Sequence, residues 1–261
     1  MIPPMERIHP TAIIDPSAQI AASVRIGPYC VIGPGVTLGE GCTLHNHVTI
    51  AGPTRIGPGN EFYPYSSVGQ RSQDLKYEAE PTYLEIGEGN TFREFVTIHR
   101  ATAPHGVTRI GSHGNFLAYA HIAHDCIVGD HVIFSNNGTL AGHVTVGDHA
   151  VIGGLSGVHQ FCRIGAHAIV GGCTKIVQDV PPFLIADGNP AEVRGVNVVG
   201  LERRGFTPES IRELREAYRI IYRGNRNTAQ ALELLRGEFQ SSGTVGTLVS
   251  FITSSERGIV R

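Results

Sequence analysis

An aliphatic or aromatic side chain returns every sixth residue over most of this 261-residue chain. The run opens at Ile8, Ile14, Ile20, Ile26, Ile32, Leu38, Leu44, Ile50, Ile56, Phe62 and Val68, and resumes at Ile86, Phe92 and Ile98. It then continues unbroken from Ile110 through Phe116, Ile122, Val128, Phe134, Leu140, Val146, Ile152, Val158, Ile164 and Val170 to Ile176. A helix repeats its faces every 3.6 residues and a flat strand every two, so neither yields this spacing. A solenoid of hexapeptide units does: each unit is one short strand and a turn, and stacked coils bury one apolar column. With three units to a coil, the column predicts a triangular prism of between eight and nine coils, about 40 Å long at ~4.8 Å per rung. Glycine commonly follows the column residue, as at Gly27, Gly39, Gly57, Gly87, Gly111 and Gly129, and is expected to supply the unusual dihedrals of tight corners.

The rhythm lapses twice. Residues 69–85 read as a polar excursion from a coil and residues 100–109 as a shorter one. Loops carried on a rigid scaffold are where ligand contacts are expected. After Ile176 the rhythm stops at Pro181-Pro182, so a prism is predicted over 1–190 and a small helical domain over 191–261. Thr207-Pro208-Glu209 reads as the N-cap, first-turn proline and first-turn acid of a helix. Ile211, Leu214, Tyr218 and Ile221 form its apolar side, and Gly224 ends it. A second helix is predicted from Asn227 or Thr228, and a third short one around Leu248–Ile252. The first also carries Arg212, Arg215, Arg219 and Arg223 in a stripe bordered by Glu209, Glu213 and Glu216. That stripe is either a solvated face or a docking strip for an acidic partner.

A formal charge of −2 gives no global field to draw the chain onto nucleic acid. Met1–Pro10 holds no apolar run of signal-peptide length, and no apolar span approaches the roughly 20 residues that cross a bilayer, so a cytoplasmic protein is expected. Cysteine usage agrees. Cys30, Cys42, Cys126 and Cys162 each fall four residues after a column residue, where other coils carry Ala or Val. They read as small buried hydrophobes, and no C-x-x-C pair points to zinc or redox chemistry.

The thirteen histidines are more telling. His113, His131, His149 and His167 recur at the coil period and predict a ladder on one corner, read as surface packing because one corner makes a poor tetrahedral cage. The segment His121-Ile122-Ala123-His124-Asp125 differs. One coil beyond His124 lies Gly142, whose amide no side chain obstructs. A histidine beside such an amide can deprotonate a hydroxyl while the amide stabilises an oxyanion, with Asp125 holding the imidazole tautomer. His99, His121 and His143 fall in the same region of the prism. Ser156 lacks the spacing of a nucleophile elbow, so direct transfer to a bound hydroxyl or amine is favoured over a covalent intermediate.

At these residues the chain resembles the UDP-N-acetylglucosamine O-acyltransferases that open lipid A synthesis. The matching strings are QDLKY (73–77), VTIHR (96–100), HIAHDC (121–126), LAGHV (140–144), HQF (159–161), QDVPP (178–182) and GLERRGF (200–206). The resemblance implies a left-handed parallel β-helix followed by a small α-helical C-terminal domain. It implies a homotrimer with sites in the clefts between subunits. The implied reaction moves an (R)-3-hydroxyacyl group from acyl carrier protein to the 3-hydroxyl of UDP-N-acetylglucosamine, with no metal and no cofactor. His124 would be the general base, Asp125 its orienting partner and the Gly142 amide the oxyanion donor. Gln73, Asp74 and Lys76 would contact sugar and acyl group, with His99, His121, His143, His159 and Gln160 along the cleft. Asn197, Arg203 and Arg204 would hold the nucleotide, and Gly172 would floor the acyl groove. Val199 stands where some members carry a glutamate near the nucleotide and Pro190 where some carry a histidine near the acyl terminus, while Lys175 is charged in a region expected to be apolar, so acyl length is not implied. Two rivals share the solenoid: a glucosamine N-acyltransferase, whose N-terminal uridine-binding domain finds no room before Ile8, and a γ-class carbonic anhydrase with three histidines on zinc.

Overall fold

Each hexapeptide unit forms a strand of two to four residues, and the column residue of each points inward. The structure, a computed structural model, describes residues 7–224 and 226–261; Met1–Glu6 of the segment read for a leader lie outside them. Among the described residues the strands line up in three sheets of nine, eight and ten. Each strand pairs in parallel with the unit one coil on, as in His121↔Thr139 and Ile122↔Leu140. Three strands and three corners close each coil, and the column fills the interior. Phe62, Phe92, Phe116 and Phe134 are fully buried, and their rings follow one another at 4.8, 4.8 and 5.2 Å. Cys30, Cys42, Cys126 and Cys162 are free and buried in the corner slot. Burial pushes the Cys126 thiol up to about 12 and the Cys162 thiol up to about 11, which makes both poor nucleophiles.

The corners correct one expectation. The left-handed residue sits three places after the column and is seldom glycine: Tyr65, Asp125, His143, His149 and Phe161 have φ of 64°, 60°, 61°, 60° and 65°. Apart from Gly69, with φ of 75°, the glycines directly after the column keep ordinary dihedrals, and several are required by close approach instead. A Cβ on Gly39 would lie 2.7 Å from the carbonyl carbon of Gly57, and one on Gly57 would lie 2.7 Å from the Gly87 oxygen. Coils stacked at strand spacing leave no room for a side chain there.

The excursions are narrower than predicted. Strand Ser67–Gln70 includes two residues assigned to the first, and Tyr83–Ile86 recovers three more, leaving 71–82 without strand structure. Likewise Thr97–His99 and Val107–Ile110 leave 100–106. Backbone groups with partners on both neighbouring coils, such as Leu84 with Thr54 and Thr108, are drawn into the sheet whatever their side chains.

The sheet also outlasts the rhythm. Beyond Pro181-Pro182, Leu184–Asp187 pairs in parallel with Ile169–Val170, and Glu192–Val196 returns antiparallel beside it. Four helices follow among the described residues: α1 (Val198–Arg203), α2 (Pro208–Tyr222), α3 (Thr228–Glu238) and α4 (Gly243–Thr253). Thr207 caps α2 by accepting from the Ser210 amide at 3.1 Å, and Asn227 with Gln230 closes a capping box on α3. Ile211, Leu214, Ala217 and Ile221 bury the inner side of α2. The chain end folds back onto the last coil, where Ser255 Oγ donates to Asp179 Oδ2 at 2.7 Å.

Candidate active site

His124 and Asp125 turn the corner between strand His121–Ile122 and strand Ile127–Val128. One coil on, Gly142 occupies the same corner position, and Gln160 follows after another coil. The His143 amide donates to the His124 carbonyl at 3.0 Å and locks the two corners together. A Cβ on Gly142 would lie 2.6 Å from His124 Nε2, so only glycine leaves the ring its place. The Gly142 amide donates to no group among the described residues, which leaves it free for a ligand oxygen.

The left-handed φ of Asp125 swings its carboxylate back beside its neighbour. Oδ2 accepts from His124 Nδ1 at 2.8 Å and from the Thr102 amide at 3.0 Å, while His143 Nε2 lies 3.8 Å away. Burial alone pushes this carboxyl up. The hydrogen bonds from His124 and Thr102 and the His143 charge outweigh it, and the group rests below its ordinary value. An ionised carboxylate only accepts, so the neutral imidazole carries its proton on Nδ1 and offers a lone pair at Nε2, on the Gly142 side.

His99 and His121 wall the same corner, with ring centroids 5.1 Å apart at 77°. His99 is 6% exposed. Burial first, then the His121 and His124 charges, pushes it down to about 4. Burial and His124 lower His121 as well. Both are neutral near pH 7 and offer hydrogen bonds without charge. Gln73 and Asp74 share a cleft of about 650 Å³ with His99, whereas Lys76 is exposed outside it, its amide donating to Asp74 Oδ1 at 2.9 Å. His159 and Gln160 are exposed further along the corner, where Phe161 stacks on His143 at 4.6 Å.

Other predicted residues lie elsewhere on the prism. Asn197, Arg203 and Arg204 line a separate pocket of about 410 Å³ over Ile133, Val151 and Ile169. It sits at the next corner, between strands Thr145–Val146 and Val151–Ile152. Gly172 occupies the third corner, between Ile169–Val170 and Lys175–Ile176. One chain therefore does not bring the nucleotide residues or Gly172 to His124. The histidine ladder does stack, at 5.1, 4.7 and 4.8 Å, but the reading as surface packing needs correction. His149 and His167 line the arginine pocket. Burial and the neighbouring His149 and Arg204 charges push His167 down to about 4, so near neutral pH only the arginines bring charge to this pocket. The coil period placed the ladder in line. Nothing in it showed that the segment after Pro190 would carry two arginines back against it.

Donor atoms of His124, Asp125 and His143 lie within 4.8 Å of one another, close enough for a cation. The 2.8 Å hydrogen bond already occupies His124 Nδ1 and Asp125 Oδ2, so a metal would have to use their other atoms, Nε2 and Oδ1, or break it.

Residues 7–40 match the bacterial transferase hexapeptide model (six repeats). Residues 179–260 match the UDP-N-acetylglucosamine O-acyltransferase domain 2 model. Prism and corner site together define a hexapeptide-repeat acyltransferase. An acyl-[acyl-carrier-protein]–UDP-N-acetylglucosamine O-acyltransferase of Burkholderia lata is 53% identical over 212 residues, which is 79% of this chain and 80% of the relative. The solved structure of LpxA from Acinetobacter baumannii superposes with a TM-score of 0.94 at 49% identity, covering 98% of this chain and 100% of that one. The UDP-N-acetylglucosamine acyltransferase of Francisella novicida gives 0.94 at 38% identity, over 97% and 94%. The chain belongs to the UDP-N-acetylglucosamine O-acyltransferase family. Its coils wind with the left-handed sense of that family's β-helix.

Proposed function

We propose that this acyltransferase moves an (R)-3-hydroxyacyl group from acyl carrier protein to the 3-hydroxyl of UDP-N-acetylglucosamine. The observation that carries the reading is the corner where His124 Nε2, backed by ionised Asp125, faces the free Gly142 amide. Nε2 takes the proton of the sugar hydroxyl as its oxygen attacks the thioester carbonyl. The Gly142 N–H receives the oxyanion, and collapse expels the thiolate, which recovers the proton from the imidazolium. Neutral His99 and His121, with Gln73 and Asp74, hydrogen-bond the sugar. Arg203, Arg204 and Asn197 take the diphosphate and nucleoside, for which planar guanidinium groups are suited.

Because the arginine pocket and His124 occupy different corners, one nucleotide sugar reaches both only when a second copy supplies one of them. This supports a trimer with sites between subunits. Arg215 and Arg219 are exposed on α2 and form no ion pair among the described residues, which supports docking of an acidic carrier protein; Arg212 is paired with Glu209 at 3.1 Å. No described helix is long and apolar enough to cross a membrane, in keeping with a cytoplasmic reaction between soluble substrates.

The test is mass spectrometry of products from a mixed pool of acyl carrier protein thioesters, offered with UDP-N-acetylglucosamine and its 3-amino analogue. A 3-O-acylated nucleotide sugar is expected. Stoichiometric zinc, with activity lost to a chelator, would instead favour the metal-dependent rival at His124, Asp125 and His143.

A further inference from the structure

Asp125 is held by more than His124. Its Oδ2 accepts the Thr102 amide at 3.0 Å, and its own amide donates to Thr108 Oγ1, fully buried, at 2.8 Å. Thr102 lies in the 100–106 excursion, and its hydroxyl meets Ser72 Oγ at 2.6 Å across 30 residues of sequence. Ser72 is 5% exposed, and its Oγ also accepts the Asp74 amide at 3.1 Å. The other side of the 100–106 excursion is pinned as well: the Arg100 amide donates to the Gln70 carbonyl at 2.9 Å, and Arg100 Nη1 to the Gly69 carbonyl at 2.7 Å.

These contacts form one path. The excursion that carries Gln73 and Asp74 ends on Ser72; Ser72 fixes Thr102; Thr102 fixes the carboxylate that orients His124. No residue on this path between Asp74 and Asp125 was singled out by motif or period, and neither Ser72 nor Thr102 touches His124. We propose that Thr102 and Ser72 are positioning residues, acting through Asp125, which couple the seating of the 71–82 excursion to the orientation of the His124 ring. The inference rests on the reading of His124 and Asp125 as base and orienting partner. The donor to the carboxylate is the Thr102 backbone amide, which side-chain substitutions keep. Losing the Ser72–Thr102 hydroxyl contact instead frees that amide to drift, so the carboxylate is less tightly aimed, more basic, and holds a proton on the dyad more firmly. Substitution at Thr102 leaves the Ser72–Asp74 contact in place, whereas Ser72→Ala also releases the Asp74 amide.

The test compares Thr102→Val, Thr102→Ser, Ser72→Ala and Ser72→Thr, each alone and in an Asp125→Ala background. Thr102→Val is expected to lower kcat about tenfold, with KM for the nucleotide sugar within about twofold. Ser72→Ala is expected to lower kcat about as much and, by freeing the Asp74 amide, to raise KM as well. The acid limb of the pH–rate profile, which belongs to the dyad as a unit, moves to higher pH. Thr102→Ser and Ser72→Thr, which keep the hydroxyl, restore turnover to within about twofold. In the Asp125→Ala background the additional effect vanishes, because the group they act through is gone. Wild-type turnover in Thr102→Val, full additivity of its kcat loss with Asp125→Ala, or a Thr102→Val loss carried in KM overturns the proposal. A purely structural role would lower the thermal midpoint without moving the acid limb, which also overturns it. If His124→Ala retains normal turnover, the base assignment fails first. If His124→Ala and Asp125→Ala are crippled while Thr102→Val is not, only this inference fails.

Discussion

At the scale of single residues, function rests on which nitrogen of His124 is free. Asp125 accepts a hydrogen bond from Nδ1–H at 2.8 Å, so Nε2 is the basic atom of this ring, and glycine at 142 leaves it room. His124→Ala is expected to cut turnover by about 10³-fold, the range of a general base, while circular dichroism and oligomer size stay unchanged. Near-normal product formation in that variant would remove the assignment. Arg204→Ala is expected to raise KM for the nucleotide sugar about tenfold with little change in kcat, since it removes a binding contact remote from the reacting atoms. An unchanged KM would contradict its phosphate role. The His124–Gly142 pairing was readable because both lie at one corner position a coil apart, and stacking then brings them together. Thr102 and Thr108 were not readable. Thr102 reaches Asp125 from an excursion that breaks the period, so no spacing connects it, and Thr108 lies in strand Val107–Ile110, within the span read as part of that excursion.

At the scale of elements, α2 is the clearest case of a segment with two faces. Ile211, Leu214, Ala217 and Ile221 are buried, and the arginine stripe runs along the exposed side. Arg212 already pairs with Glu209, so Arg215, Arg219 and Arg223 are the members without an ion pair among the described residues, and the first two lie within α2. Arg215→Glu with Arg219→Glu is expected to raise KM for acyl carrier protein at least tenfold and to reduce the salt dependence of that KM. The helix itself should persist, because neither side chain packs inward. Equal KM values would mark the stripe as a solvated face. Thr207-Pro208-Glu209 announced this helix through its cap, and Asn227 announced the next. The hairpin after Pro182 and α1 had no such signal: the first follows a break in the period, and six residues of α1 are too few to establish a helical one. Corner glycines misled for a related reason. Sequence shows that glycine recurs at a position, but not whether dihedral or neighbouring backbone favours it.

For the whole molecule, the histidines tie stability to pH. His99 and His167 are pushed down to about 4 in the fold, and His121 and His149 are lowered in the same direction, each chiefly by burial. An unfolded histidine titrates near 6.5, so between about pH 6.5 and 4 the unfolded chain binds protons that the prism refuses. Stability is therefore full above about pH 6.5 and falls as pH falls through this window. His99 alone accounts for up to about 3 kcal/mol across it. Asp125 acts with the same overall direction but lower down: its depressed value means that its contribution is present above about 3.8 and is lost only below. The histidine loss thus precedes the carboxylate loss. His167 isolates the effect because it stands apart from the His124 corner, packed among His149, Phe183 and Phe206, with Arg204 and Asp148 facing it. His167→Gln is expected to flatten the fall in thermal midpoint between pH 6.5 and 4.5 relative to the parent, measured at one fixed protein concentration so that assembly does not shift the comparison. Parallel curves for the two proteins would show that His167 binds its proton equally in the fold and in the unfolded chain, leaving the acid lability to His99, His121, His149 and the carboxylates.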